Sequence, residues 1–283
     1  MKGFQKGFWG MVFYVVLLLV LICLLCIGLF APARASQDGR TLPIIMYHQI
    51  VPGEDGLDDY TASAAQLEAD LQALAQEGYQ TVWLSEVIRF VHEGASLPEK
   101  PVLLVFDDGY QSVISQVIPL LKQYNAKAMV SVIGARAQGI EDGCDTSGQY
   151  MTWDDLKKAV DSGCIELQSH SAQLHVFRTR KGVQKLPDET DASYEAMLNA
   201  DLNLMQAWAK AAEVPVLKAF AYPYGFVEPQ ADDILRQQGI EATMTSEPHT
   251  NRISADPACL YRMGRFNRSG LMDTKMLLDW LKR

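Results

Sequence analysis

Apolar residues fall into two rhythms along this chain, and the rhythms alternate. Short, mostly apolar runs, the pattern of strands buried on both faces, occur at residues 42–47, 80–83, 102–106, 128–133, 165–168, 218–222, 241–245 and 261–266. Between them, apolar residues three and four apart predict helices over 64–76, 85–92, 111–124, 156–161, 192–212, 229–238 and 271–282. In the first of these, Leu67, Leu71 and Leu74 share a face. Thr152-Trp153-Asp154-Asp155 has the form of a capping box, with Asp where Glu is usual. Alternation sustained over about 240 residues predicts a parallel α/β fold, either barrel or doubly wound. Residues 178–191 are charged and aperiodic, and are expected to be a surface loop near the mouth of the sheet.

The N-terminus departs from this pattern. Residues 9–30 are almost continuously apolar and uncharged, with Lys2 and Lys6 before them and Ala33-Arg34-Ala35 after. That is the layout of a secretory signal, although a run of about 20 residues is nearer a membrane-spanning length. Residues 1–35 are therefore expected to be a signal peptide or an N-terminal membrane anchor, and residues 36–283 an extracytoplasmic domain. Residues 36–283 hold 22 of the 25 basic residues and all 34 acidic ones, a formal charge of −12. Nucleic acid is an improbable partner on that balance, because binding phosphates needs a basic face. Cys144, Cys164 and Cys259 remain outside the apolar segment, an odd number whose spacings fit no zinc cluster.

The run at 102–106 ends in an unusual way, as Phe106-Asp107-Asp108-Gly109-Tyr110. Asp and Gly both suit turns, which accounts for Asp108-Gly109 but not for Asp107. In parallel α/β folds chemistry gathers at the C-terminal ends of strands, and the paired aspartates occupy such an end. So do His48, His170 and the Pro223-Tyr224-Gly225 turn. His170 and His175, two of five histidines, lie five residues apart, so neither a helix nor a strand would make them converge. A loop leaving a strand could. One Asp with two His is an adequate ligand set for Zn²⁺, with one position left for water. The second aspartate could then serve as a general base.

FDDG at a strand end, SHSAQLH about sixty residues on and FAYPYG some fifty beyond that together resemble the polysaccharide deacetylases, carbohydrate esterase family 4. The early IIMYH is similar to the circularly permuted subgroup that includes poly-N-acetylglucosamine deacetylases. The resemblance spans about residues 42–266. It implies a distorted (β/α) barrel of about seven parallel strands, and an enzyme that hydrolyses N-acetyl groups of a polysaccharide with a divalent metal, Zn before Co or Ni. It makes Asp107 the general base and Asp108, His170 and His175 the metal ligands, with Ser171 bracing their loop. His48 would be the general acid. Tyr224 would offer its backbone N–H to the oxyanion from a turn framed by Pro223 and Gly225, and Tyr110 flanks the site as a sugar contact. An O-acetyl esterase using the same site, or a weakly active anchored glycan-binding domain, is the alternative. Two departures stand out. The histidines are five rather than four apart, and Ala221 replaces the arginine that many members place two residues before the proline. Arg262 or Arg265 could supply that charge from a later strand. Oligomeric state is not legible.

Overall fold

Pro43 fixes where the first strand breaks. Having no N–H to donate, it separates β1 (Arg40–Leu42) from β2 (Ile44–Tyr47), while its carbonyl accepts from Leu103 N at 3.1 Å. The structure is a computed structural model that describes residues 16–18, 39–139, 149–215 and 217–282. The strands that follow are β3 (Gln49–Val51), β4 (Thr61–Ser63), β5 (Gln80–Thr81), β6 (Pro101–Asp108), β7 (Ala128–Val132) and β8 (Ile165–Ser169). After these come β9 (Ala219–Ala221), β10 (Ala242–Met244), β11 (Asn251–Ile253) and β12 (Phe266–Asn267).

The main sheet runs β10-β9-β8-β7-β6-β2-β12, with β5 added against the start of β6, and every pairing in it is parallel. Helices connect the strands, giving a parallel α/β half-barrel. Residues 263–268 run from one edge of this sheet to the other. Met263 bridges Met244 of β10, and its carbonyl accepts from Thr245 N at 2.9 Å. Arg268 N then donates to Met46 O of β2 at 2.8 Å.

All eight residues of β6 are buried, as expected for a strand covered on both faces. Leu104 and Phe106 join a cluster with Ile45, Val130 and the helices Ala64–Gln76 and Trp153–Asp161. Leu103 and Val105 face the other way, towards Met129, Ala219, Ala221 and the helix Leu84–Glu93. The Thr152 capping box forms as expected, with Thr152 Oγ1 accepting from Asp155 N at 3.2 Å.

Several expected elements are shorter, for local reasons. The 80–83 strand stops at Thr81, because Trp83 caps the next helix and donates its N–H to Glu86 Oε2 at 2.9 Å. The 111–124 helix opens as a π turn over Val113–Val117 and becomes α only at Ile118–Gln123, where Pro119 can donate no i−4 bond. The 261–266 strand shrinks to β12 because Arg262 turns the chain at φ 58°. The 178–191 loop is largely exposed but pinned by fully buried Val183 and by the Arg180–Glu189 pair at 2.7 and 2.8 Å. Cys164 and Cys259 are free thiols, and Cys144 lies outside the described residues.

The apolar segment at 9–30 and the Ala33-Arg34-Ala35 site also lie outside them, apart from three helical positions at 16–18. Among the described residues no helix is long and apolar enough to cross a membrane.

Candidate metal centre and active-site cavity

The end of β6 solves the problem posed by adjacent aspartates. Asp107 keeps the pleat and lies on the face of Leu103 and Val105, so an ordinary strand would send Asp108 to the opposite side. Asp108 instead has φ 73°, in the left-handed region that non-glycine residues occupy only at a cost of about 1–2 kcal/mol. The alternation breaks there, and both carboxylates line one cavity of about 600 Å³. His48, Tyr110, His170, His175, Tyr224 and Arg265 line it too.

The two histidines leave β8 on a loop. His170 is buried, and its Nδ1 lies 2.8 Å from the carbonyl of Ala221. A carbonyl only accepts, so Nδ1 carries the hydrogen and Nε2 is the ring atom left to act as a ligand. That atom lies 3.7 Å from Asp108 Oδ1, and His175 Nε2 approaches the same oxygen at 3.5 Å. Burial, with His170 beside it, pushes His175 down to about 3, so its ring is neutral. Its buried Nδ1 makes no hydrogen bond among the described residues. Three acceptor atoms thus converge within 4.8 Å of one another. Tetrahedral bonds of about 2.0–2.1 Å set ligand atoms about 3.3 Å apart, near the 3.7 and 3.5 Å that separate Asp108 Oδ1 from the two imidazoles. Two imidazole nitrogens and a carboxylate oxygen crowded in this way fit a divalent cation, for which all three are suitable ligands.

The loop is held from two sides. Ser171, at φ 74°, accepts from Leu174 N on its Oγ at 3.1 Å. Asp201, buried in the helix Asp191–Ala211, accepts from Ala172 N at 2.9 Å and Gln173 N at 2.7 Å. Burial lifts Asp201 to about 6 in spite of these bonds. Its ionised form is therefore a cost to folding, tolerated where it holds the loop between the two histidines. Sequence reading missed this residue, although a carboxylate within the apolar stripe of Leu198, Leu202 and Met205 was a usable sign. Asp201→Ala is expected to weaken divalent-metal binding about 10-fold or more, the scale of effect when support behind ligands is lost, as measured by metal titration of the stripped protein.

Arg265 answers the question raised by Ala221. Its Nη1 lies 2.9 and 2.8 Å from the two oxygens of Asp107, and its Nε donates to Thr245 O at 2.7 Å. Both side chains are almost wholly buried. Burial would raise Asp107, but Arg265, His170 and His48 together hold it down at about 2. Arg262 goes elsewhere, to Asp232 at 2.5 Å. A second arginine, Arg136, lies 3.3 Å from Asp108 Oδ2.

His48 lies at the end of β2 with its ring edge-on to Tyr60, centroids 4.9 Å apart. Burial lowers its pKa below that of an ordinary histidine, while Asp107 and Asp108 push it back up. Tyr224 has φ 58°, and its ring packs against His175 at a tilt of 39°, centroids 4.3 Å apart. Gly225 follows at φ 74°, and a Cβ there would meet Ser246 Oγ at 1.9 Å, so the turn admits only glycine. Pro223 is buried behind it. Tyr110 packs on Tyr150, centroids 4.8 Å apart, and burial pushes its phenol up. His249 is exposed, and His92 lies in the last turn of a helix.

The polysaccharide deacetylase family model matches residues 94–243. The chain belongs to that family. The match takes in the paired aspartates, both histidines and the Pro223–Gly225 turn, whereas His48 and Arg265 lie outside it on either side. Among curated relatives of this deacetylase-family chain, the poly-β-1,6-N-acetyl-D-glucosamine N-deacetylase of Escherichia coli K12 is 26% identical over 195 residues. That alignment covers 62% of this chain and 29% of the relative, so the chain spans about three tenths of that protein's length. The enzyme of the same name from Staphylococcus epidermidis is 20% identical, over 84% of this chain and 78% of its own. IcaB from Ammonifex degensii superposes with a TM-score of 0.71 at 27% identity, covering 88% of this chain and 100% of its own. A de-N-acetylase from Aggregatibacter actinomycetemcomitans shares the fold, with a TM-score of 0.75 at 22% identity and coverage of 85% and 99%.

Proposed function

We propose that the protein is a metal-dependent N-deacetylase of an extracytoplasmic polysaccharide containing N-acetylglucosamine, which releases acetate. In this reading residues 36–283 are the catalytic domain, a distorted seven-stranded barrel, and residues 1–35 export or anchor it. The observation that carries the proposal is the convergence of Asp108, His170 and His175 beside an Arg265-bound Asp107 in one cavity. The relatives named for poly-β-1,6-N-acetyl-D-glucosamine point to that substrate class.

Asp108, His170 and His175 hold the metal, with zinc the best match to one carboxylate and two imidazoles. A divalent metal bound there lowers the pKa of water to about 7 and polarises a carbonyl. Asp107 takes a proton from the attacking water. Arg265 keeps that carboxylate ionised and fixed in orientation, ready to accept. The backbone N–H of Tyr224 donates to the carbonyl oxygen as negative charge gathers on it, a contribution worth about 3–4 kcal/mol where such donors have been removed. His48 gives a proton to the departing amine, since an amide nitrogen cannot leave as an anion. The decisive assay is acetate release from a panel of acetylated glycans, with and without chelator. Activity that survives complete metal removal would overturn the reading.

His48→Ala should lower turnover of the N-acetyl substrate about 100-fold or more, within the usual range for a lost general acid. Acetate esters of good phenolate leaving groups should lose much less, because a phenolate departs without a proton. Equal losses on amide and ester would remove His48 from that role.

A further inference from the structure

We infer that two buried carboxylates, Asp70 and Asp232, are positioning residues for the reaction, one setting His48 through Tyr47 and the other setting the Tyr224 turn through Tyr222. The inference rests on the N-deacetylase reading and adds what holds its acid and its oxyanion donor in place. Arg262, Arg265 and Arg268 recur at every third position of one short segment. Each reaches a different carboxylate, Arg265 the base Asp107 and the outer two Asp232 and Asp70. Asp70, in the helix Ala64–Gln76, accepts from Arg268 Nε at 2.6 Å, from Thr274 Oγ1 at 2.6 Å and from the Tyr47 hydroxyl at 3.0 Å. Asp232, in the helix Ala231–Gln237, accepts from Arg262 Nε at 2.5 Å, from the Tyr222 hydroxyl at 2.6 Å and from Thr243 Oγ1 at 3.4 Å. Both tyrosines are buried, and each stands immediately before a functional group, His48 in one case and the Pro223–Gly225 turn in the other. Tyr47 ends β2 and His48 follows it, so their side chains leave on opposite faces. His48 lines the cavity, while Tyr47 stacks on Phe106 with centroids 5.0 Å apart.

Stability does not explain these clusters. An ion pair taken fully out of water, as Asp70 and Arg268 are, is often no more stabilising than apolar side chains of the same volume. A phenylalanine would fill either tyrosine's place in the core and leave no buried hydroxyl to satisfy. What carboxylate, arginine and hydroxyl supply together is direction, because each bond fixes an angle as well as a distance. Direction matters where it is passed on to a reacting group, since a misplacement of about 1 Å can cost about 10²-fold in rate.

Asp70→Asn would strand a buried arginine and test folding first, so the test removes the hydroxyls instead. Tyr47→Phe should lower kcat on the N-acetyl substrate about fivefold, with KM and metal affinity unchanged. The loss should be several times smaller on phenolate acetate esters, which need no acid. It should vanish in a His48→Ala background, since Tyr47 acts through that ring. Tyr222→Phe should lower kcat on amide and ester alike, because both gather charge on the oxygen that the Tyr224 N–H serves. A purely structural role would lower thermal stability in either variant without separating the two substrates. Amide hydrogen exchange gives a readout that needs no turnover. Tyr47→Phe should speed exchange of the Arg268 N–H bonded to Met46 O, and Tyr222→Phe that of the Gly225 N–H bonded to Tyr222 O, each about tenfold and each leaving the other slow. If the wild type releases no acetate, the functional reading fails and exchange alone decides the clamps. They are overturned if exchange is as slow in the variants as in the wild type, if Tyr47→Phe lowers amide and ester rates equally, or if its effect persists in the His48→Ala background.

Discussion

Asp107→Asn should reduce acetate release by about 10³-fold while leaving divalent-metal affinity within a few-fold of wild type. The substitution keeps the size of the side chain and one oxygen that accepts from Arg265, but gives up the second acceptor and the basicity that receives the proton. Removal of a positioned base typically costs about 10²–10⁴. The metal should stay because the three converging atoms belong to Asp108, His170 and His175, and Asp107 contributes none of them. Rates and metal titrations on the same preparation test both halves. A variant that loses metal along with activity would place Asp107 among the ligands. The pH profile adds a further check. With its pKa depressed to about 2, Asp107 is ionised throughout the range above about pH 4, and its stabilising pair with Arg265 is lost only as pH falls through about 2. Any decline in rate between pH 5 and 7 therefore belongs to another group.

Arg265→Met should be the most damaging single change outside the ligand set. Removing one partner of a buried ion pair strands the other, at a cost of about 3–5 kcal/mol. Here the stranded group is Asp107, 2% exposed. Without the guanidinium, burial dominates and the Asp107 pKa rises. A raised carboxylate pKa destabilises the fold above it, so the variant should be least stable at neutral pH and regain stability as acid protonates Asp107. The acid limb of its residual activity should move to higher pH. Adding Asp107→Asn to Arg265→Met should restore stability but not activity, because the uncompensated charge is gone while the base is still missing. Thermal unfolding of the four-member cycle at pH 5 and 7.5 measures this. If Arg265→Met is equally stable at both, the ion pair does not support the base.

Much of this was legible in the sequence because the local signals were strong. The unbroken apolar run of β6, the Leu67–Leu71–Leu74 stripe and the Thr152 capping box each depend on neighbours a few residues away. The site motifs were legible too, since Asp108, His170 and His175 meet at the ends of β6 and β8, which are separated in the sheet only by β7. What was hidden depends on distance along the chain or on single dihedral angles. Arg265 was one of two candidates, and only the turn at Arg262 shows why that arginine goes to Asp232 instead. The left-handed backbone of Asp108 leaves no trace in composition.

Asp107 and Arg265 are separated by 158 positions, and the same short segment that carries Arg265 joins the edges of the sheet. Synthesis from the N-terminus therefore delivers Asp107, Asp108, His170 and His175 well before that segment. Until it arrives Asp107 is a carboxylate without a counter-charge, whose desolvation opposes collapse around it. The arrival of residues 263–268 relieves that penalty and closes the route from β10 to β2 in one event. On the N-deacetylase reading, a chain ending before residue 263 would bring Asp108, His170 and His175 together but leave Asp107 without the counter-charge of Arg265.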